Sequence, residues 1–186
     1  KIPMLLLTLL VFGIPALYLL FRGKKQVVRD TLGAVLVGSV FGYMLEYVSA
    51  LNGGFWTYNF EHFVFKQLLP GGVPLETMLW AFIWALYFIL VYEHFFDGQA
   101  PRGLSRWYLP VLLLSLVGIF NLLYFPLSKE LFIVPYAYVW WGLFSLLPVA
   151  VVAWLYPRAA PGLLAAGAVL VLTNIVFEWA SLREGY

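Results

Sequence analysis

Apolar stretches of about 20 residues, the length that crosses a bilayer as an α-helix, recur along the whole chain. Charged residues make up 11% of the sequence, against about 25% in soluble domains, and hydrophobic residues 63%. The first stretch is followed by basic residues, which is typical of a stop-transfer flank and not of a cleaved signal peptide. The sequence therefore predicts an all-α integral membrane protein, a six-helix bundle with spans at 3–21, 31–50, 74–93, 107–125, 135–156 and 162–181.

Basic residues are concentrated in the connections that follow the odd-numbered spans. The basic residues in these connections, which lie on one side of the membrane, are Arg22, Lys24, Lys25, Arg29, Arg102, Arg106 and Arg158. Those on the other side are Lys1, Lys66, Lys129 and Arg183. The positive-inside rule then predicts a multi-pass protein of the inner (cytoplasmic) membrane with its N-terminus outside. Because this asymmetry accounts for the basic residues, nucleic-acid binding is not predicted.

The sequence contains an internal repeat. Residues 46–53 (Glu-Tyr-Val-Ser-Ala-Leu-Asn-Gly) recur as 178–185 (Glu-Trp-Ala-Ser-Leu-Arg-Glu-Gly), and Pro15 of the first span matches Pro148 of the fifth at nearly the same spacing. Spans four apart have the same orientation, so the sequence predicts two parallel internal repeats. Duplicated units are common in membrane folds and often place a site at their interface.

The repeat divides the chain into three parts. We expect a first repeat of three spans in residues 1–95, connecting loops and a fourth helix in 96–134, and a truncated second repeat in 135–186. The second copy reaches Tyr186 where its aromatic motif would begin, and we expect a seventh span beyond that residue.

Three carboxylates, Glu46, Glu76 and Glu178, lie within or at the mouth of predicted spans. An ionisable group at that depth costs roughly 2.5–3.5 kcal/mol on insertion, so it usually faces a protein interior and has a function. Residues 34, 38, 42 and 46 form a small-residue stripe that ends at Glu46, which predicts close helix contact around that acid. The predicted topology places all three carboxylates in the outer leaflet layer, together with Asn121.

Aromatic and amide side chains accompany these acids. Glu76, Trp80, Trp84 and Tyr87 follow helical spacing, which predicts an acid at the end of an aromatic wall. Asn174 precedes Glu178 by one turn, with Ser181 predicted on the same side. The two histidines lie on opposite sides of the third span, there is no cysteine, and no zinc or phosphate-loop spacing is present, so we expect no metal and no cofactor.

Carboxylates in an apolar pocket suit proton transfer to an apolar polyene or isoprenoid. An apolar environment favours the neutral form of a carboxyl group, so a buried glutamate can act as an acid. Protonation of an alkene gives a carbocation, which indole and phenol faces stabilise. A second carboxylate then removes a proton or orients a water molecule for addition.

Two motifs carry a family resemblance. Residues 53–59 (Gly-Gly-Phe-Trp-Thr-Tyr-Asn), followed by Gly-Val-Pro-Leu-Glu at 72–76, resemble the membrane-embedded lycopene cyclase domain, whose two repeated units carry Trp-x-Tyr and then Pro-x-Glu-Glu. The pattern of Glu46, Gly53, Phe55, Tyr58 and Val73-Pro74 also resembles the related carotenoid hydratases. The resemblance covers residues 1–95 well and 135–186 in part.

The resemblance implies a cofactor-independent enzyme of carotenoid biosynthesis, an isomerase (cyclase) or a lyase (hydratase), that acts on a polyene end group. Glu76 would be the acid, with Glu46 or Glu178 as its partner. Residues implied in substrate binding are Trp56, Tyr58, Trp80, Trp84, Asn121 and Asn174. The second glutamate of the family motif is Thr77 here, which favours hydration or another isoprenoid reaction over cyclisation.

Other interpretations stay open. The chain could be a non-catalytic pigment- or lipid-binding subunit of a larger membrane complex, as a homo- or hetero-oligomer, or a small transporter. Glu76 could be a first-turn acid favoured by the helix dipole, and Glu46 and Glu178 could reach the interface from near their helix ends. The tryptophans could form an ordinary interfacial belt, which is the favoured interpretation of Trp107 and Trp140.

Overall fold

The structure is a computed structural model that describes residues 2–23, 31–33, 35, 38–39, 42–44, 46–48, 60–69, 72–96, 130 and 133–185. It is mostly helical. The α-helices are α1 (Met4–Thr8), α2 (Ile14–Arg22), α3 (Leu75–Val91), α4 (Ala137–Leu155) and α5 (Ala160–Glu184). A π-helical turn, Leu9–Gly13, joins α1 to α2, and another, Tyr92–Phe96, extends α3. Short 3₁₀ helices cover Phe60–His62 and Pro157–Ala159, and residues 31–48 are helical wherever they are described.

Among the residues that the structure describes, three helices are long and apolar enough to cross a membrane: Met4–Arg22, Leu75–Phe96 and Pro157–Glu184. They coincide with the predicted first, third and sixth spans. The sixth begins earlier than predicted because Pro161 falls in its first turn, where a missing N–H is tolerated. It ends where Gly185 adopts a φ of 82° and its N–H bonds to the carbonyl oxygen of Ser181.

A short β-hairpin precedes α3, which the all-α prediction did not include. Strand β1 (Leu68–Leu69) pairs antiparallel with β2 (Val73–Pro74), with Leu69 opposite Val73. Gly72 has a φ of 79°, a left-handed conformation that glycine adopts without a Cβ clash. The hairpin folds residues 60–69 back over the start of α3.

The first helix and α3 run in the same direction. Leu5 and Glu76 meet at one end, and Gly13 approaches Ile83 further along. Helix α5 runs the opposite way, since Glu184 bonds to the N–H of Ile2 at that same end. These relative directions are those that the predicted topology requires of spans one, three and six.

The core lies between these three helices. Phe12 packs against Tyr87 and Phe177, with ring centroids 5.6 and 5.3 Å apart, and the residues around it include Leu19 and Leu90. The six-span count, the division at 95 and 134, the parallel repeats and the seventh span stay predictions.

Candidate functional site

Glu76 is fully buried at the second position of α3 and accepts three main-chain hydrogen bonds. Its Oε1 accepts from the N–H of Leu5 at 2.9 Å. Its Oε2 accepts from the N–H groups of Val64 at 2.7 Å and Phe65 at 2.9 Å. Oε1 is therefore engaged by the start of α1, 71 residues away, and Oε2 by the segment that leads into the hairpin, 11–12 residues away.

These contacts explain why a carboxylate is tolerated here. The first N–H groups of a helix lack partners within the helix, and Pro3, which precedes α1, offers no side-chain acceptor. Glu76 supplies that acceptor from another helix. The geometry matches a fold-stabilising acid near a helix N-terminus, and the catalytic role of Glu76 stays a prediction.

The aromatic wall on α3 is present. Trp80 and Trp84 stack with centroids 6.0 Å apart and an interplanar angle of 29°. Phe88 continues the stack beyond Trp84 at 6.3 Å and 23°. Phe88 was not among the predicted site residues, although its spacing of four from Trp84 was a usable signal.

Helix α5 holds this wall through polar contacts as well as packing. Phe177 lies 6.1 Å from Trp80 between ring centroids. The Nε1–H of Trp84 donates to Oδ1 of Asn174 at 3.1 Å. Trp84 and Asn174, both predicted to bind substrate, thus bind one another. Thr173 was not predicted, and its hydroxyl lies 3.3 Å from that of Tyr87.

Glu46 is buried, with 4% of its surface exposed. The small-residue stripe that leads to it makes the predicted close contact at Gly42, where an added Cβ would lie 3.3 Å from Cβ of Ala81. At Gly38 an added Cβ would meet no described atom within 4 Å. Glu46 lies one turn from Gly42 along its segment, and Thr77 lies one turn from Ala81 along α3.

Glu178 is exposed on α5. It follows Phe177, which packs into the core, and one residue is a rotation of about 100° around a helix. Ser181, expected on the same side as Glu178, is buried instead, and its hydroxyl donates to the carbonyl oxygen of Phe177 at 2.8 Å. Trp56, Tyr58 and Asn121 lie outside the described residues.

Two buried polar atoms on α3 lack a hydrogen-bond partner among the described residues: Oγ1 of Thr77 and Nε1 of Trp80. From the sequence, Thr77 was notable only because it stands where the family motif has its second glutamate. His62 and His94 lie near opposite ends of α3, and the described part of the chain holds no group of three or more His, Asp or Glu residues suited to a metal ion.

Comparison of the chain with known protein families, with curated proteins and with solved structures gives no match.

Proposed function

We propose that this chain is a membrane-embedded enzyme that modifies the end group of an apolar polyene or isoprenoid by carboxylate acid–base chemistry, without a cofactor. The observation that carries the proposal is the burial of Glu46, a carboxylate one turn from Gly42, whose segment contacts Ala81 on the helix that bears the stacked indoles. The motifs that resemble lycopene cyclase domains and carotenoid hydratases supply the substrate class.

Glu46 is the acid in this proposal. Glu76 is occupied by three main-chain donors and Glu178 is exposed, whereas Glu46 is buried on the segment that contacts α3 at Ala81. Its proton passes to a terminal alkene carbon and leaves a carbocation on the neighbouring carbon. The indoles of Trp80 and Trp84 stabilise that cation through their ring faces.

The carbocation can then react in two ways, and each returns a proton to the carboxylate. Attack by a second double bond of the polyene, followed by loss of a proton to the carboxylate, gives a ring and a net isomerisation. Addition of water, followed by loss of one of its protons to the carboxylate, gives an alcohol and a net hydration.

The bilayer is the proposed environment. Large apolar side chains face outward along the helices, as on a lipid-facing surface: Phe21, Trp154, Leu164 and Leu182. We place the end that holds Leu5, Glu76 and Glu184 outside the inner membrane, because the basic connections follow the opposite ends.

The test is pigment analysis of a lycopene-accumulating bacterial host that expresses wild-type protein, Glu46→Gln or Glu178→Gln. A cyclised or hydroxylated product that disappears with Glu46→Gln and persists with Glu178→Gln supports the proposal. Detergent-solubilised samples must elute as single folded species, which separates lost chemistry from lost folding. Unchanged lycopene in the wild-type host, despite membrane expression, contradicts the proposal.

One observation favours the non-catalytic alternative. Glu76, the acid that the family resemblance singles out, serves the main chain, and Thr77 stands where the family has a second acid. A pigment- or lipid-binding subunit would retain these features without turnover. It predicts that the protein copurifies with unmodified polyene and that Glu46→Gln leaves the bound amount unchanged.

A further inference from the structure

Thr77, like Thr31, differs from most hydroxyl residues in the described helices. Four of them donate to the carbonyl oxygen four residues earlier, at 2.7–2.9 Å: Thr8, Ser39, Thr173 and Ser181. Thr77 cannot do so within α3, because Val73 precedes the helix and belongs to β2. Its hydroxyl is left without a described partner although only 4% of the residue is exposed.

The indole N–H of Trp80 is also buried and without a described partner, one turn from Thr77. Trp84, the next indole of the wall, has Asn174 as its acceptor. Leaving a buried donor unsatisfied costs about 1–3 kcal/mol, so two such groups one turn apart on the same helix call for an explanation.

The two groups lie where three segments meet. Trp80 packs against Phe177 of α5, while Ala81 contacts Gly42 of the segment 31–48. Thr77 is three residues from Trp80 and four from Ala81, so it lies between these two faces of α3. Glu46 lies one turn from Gly42 on the neighbouring segment.

We propose that Thr77 and Trp80 form a binding site for one uncharged oxygen atom, that of a water molecule or of a ligand hydroxyl group. The Trp80 indole donates to this oxygen, and the Thr77 hydroxyl donates to it or accepts from it. Side chains three apart on a helix have Cβ atoms about 5–6 Å apart, which a single oxygen at about 2.9 Å from each polar atom can bridge.

This inference goes beyond the proposed reaction, because it concerns binding and holds without turnover. In the enzyme, such an oxygen would be the water that adds to the carbocation or the hydroxyl of the product. In a binding subunit, the same site would select a hydroxylated isoprenoid over a hydrocarbon.

The test uses the full chain in lipid nanodiscs with ¹⁵N-labelled tryptophan. The Trp80 indole signal is assigned by its loss in Trp80→Phe. Geranylgeraniol is the hydroxylated probe, and squalene is the isoprenoid hydrocarbon control. Thr77→Val removes the hydroxyl at nearly constant shape, and Thr77→Ser is the matched variant that retains it.

We expect a cross-peak from the Trp80 indole proton to water in the ligand-free protein. If the site binds water, this cross-peak persists when geranylgeraniol is added. If the site binds a ligand hydroxyl group, the cross-peak is replaced by one to that hydroxyl. Thr77→Val should shift the Trp80 signal and, in the second case, weaken geranylgeraniol binding about five- to tenfold relative to squalene, while Thr77→Ser does neither.

Absence of both cross-peaks, together with a Trp80 signal that Thr77→Val leaves unmoved, overturns the proposal. The remaining indole signals report whether each variant is folded. Loss of pigment conversion in the host, with these cross-peaks present, would contradict the proposed reaction and leave the binding site standing.

Discussion

The carboxylate of Glu76 accepts a hydrogen bond from the main-chain N–H of Leu5 at 2.9 Å and so joins two helix N-termini that are 71 residues apart in sequence. Neither helix has a side-chain cap of its own, since prolines occupy both N-cap positions. One buried acid therefore serves as a tertiary cap for the first helix, and its other oxygen fastens the segment that precedes the hairpin.

Glu76→Gln should destabilise the protein by about 1–3 kcal/mol, because a buried main-chain donor that loses its acceptor costs about that much. The glutamine amide group would also turn a donor toward main-chain donors. Reversible unfolding in lipid–detergent micelles measures the change. The exposed Glu178→Gln is the control, expected to stay within about 0.5 kcal/mol. Equal stability of the two variants would refute the capping role of Glu76.

Trp84 and Asn174 should be energetically coupled across α3 and α5. A double-mutant cycle with Trp84→Phe and Asn174→Leu should give a coupling energy of about 0.6–1.7 kcal/mol, the range measured for hydrogen bonds between membrane helices. Unfolding free energies of the four proteins provide it. A coupling of zero would mean that this hydrogen bond does not hold the two helices together.

Gly42→Leu should loosen the contact between the segment 31–48 and α3, because even a Cβ at this position lies 3.3 Å from Ala81. Overpacking of this kind costs about 1–3 kcal/mol. Gly38→Ala on the same segment is the matched control, since its added Cβ would meet no described atom within 4 Å. Thermal unfolding of both variants tests the difference, and a destabilisation by Gly38→Ala as large as that by Gly42→Leu would contradict this packing.

Cysteine labelling can establish the orientation, because the natural sequence contains no cysteine. Gln67→Cys and Pro157→Cys each introduce one thiol at an exposed position, at opposite ends of the bundle. With the N-terminus outside, a membrane-impermeant maleimide should label Gln67→Cys in intact spheroplasts. Pro157→Cys should react only after permeabilisation, and the reverse pattern would invert the proposed topology.

Much of the helical framework follows from the sequence. Apolar length alone located the helices Met4–Arg22, Leu75–Phe96 and Pro157–Glu184, because a chain crossing lipid must satisfy its main-chain hydrogen bonds internally. Helical spacing alone predicted the stack of Trp80 and Trp84. The hairpin before α3 escaped prediction, since strands of two residues carry too little pattern to detect.

The roles of the acids depend on tertiary structure. The sequence predicted that Glu46, Glu76 and Glu178 lie in one layer of the membrane, but it could not predict which groups surround each acid. The fold gives Glu76 three main-chain donors from two other segments, buries Glu46, and leaves Glu178 exposed. Periodicity fixes which side of its own helix a residue occupies, but the groups that meet it come from other helices, and only their packing decides what a buried charge contacts.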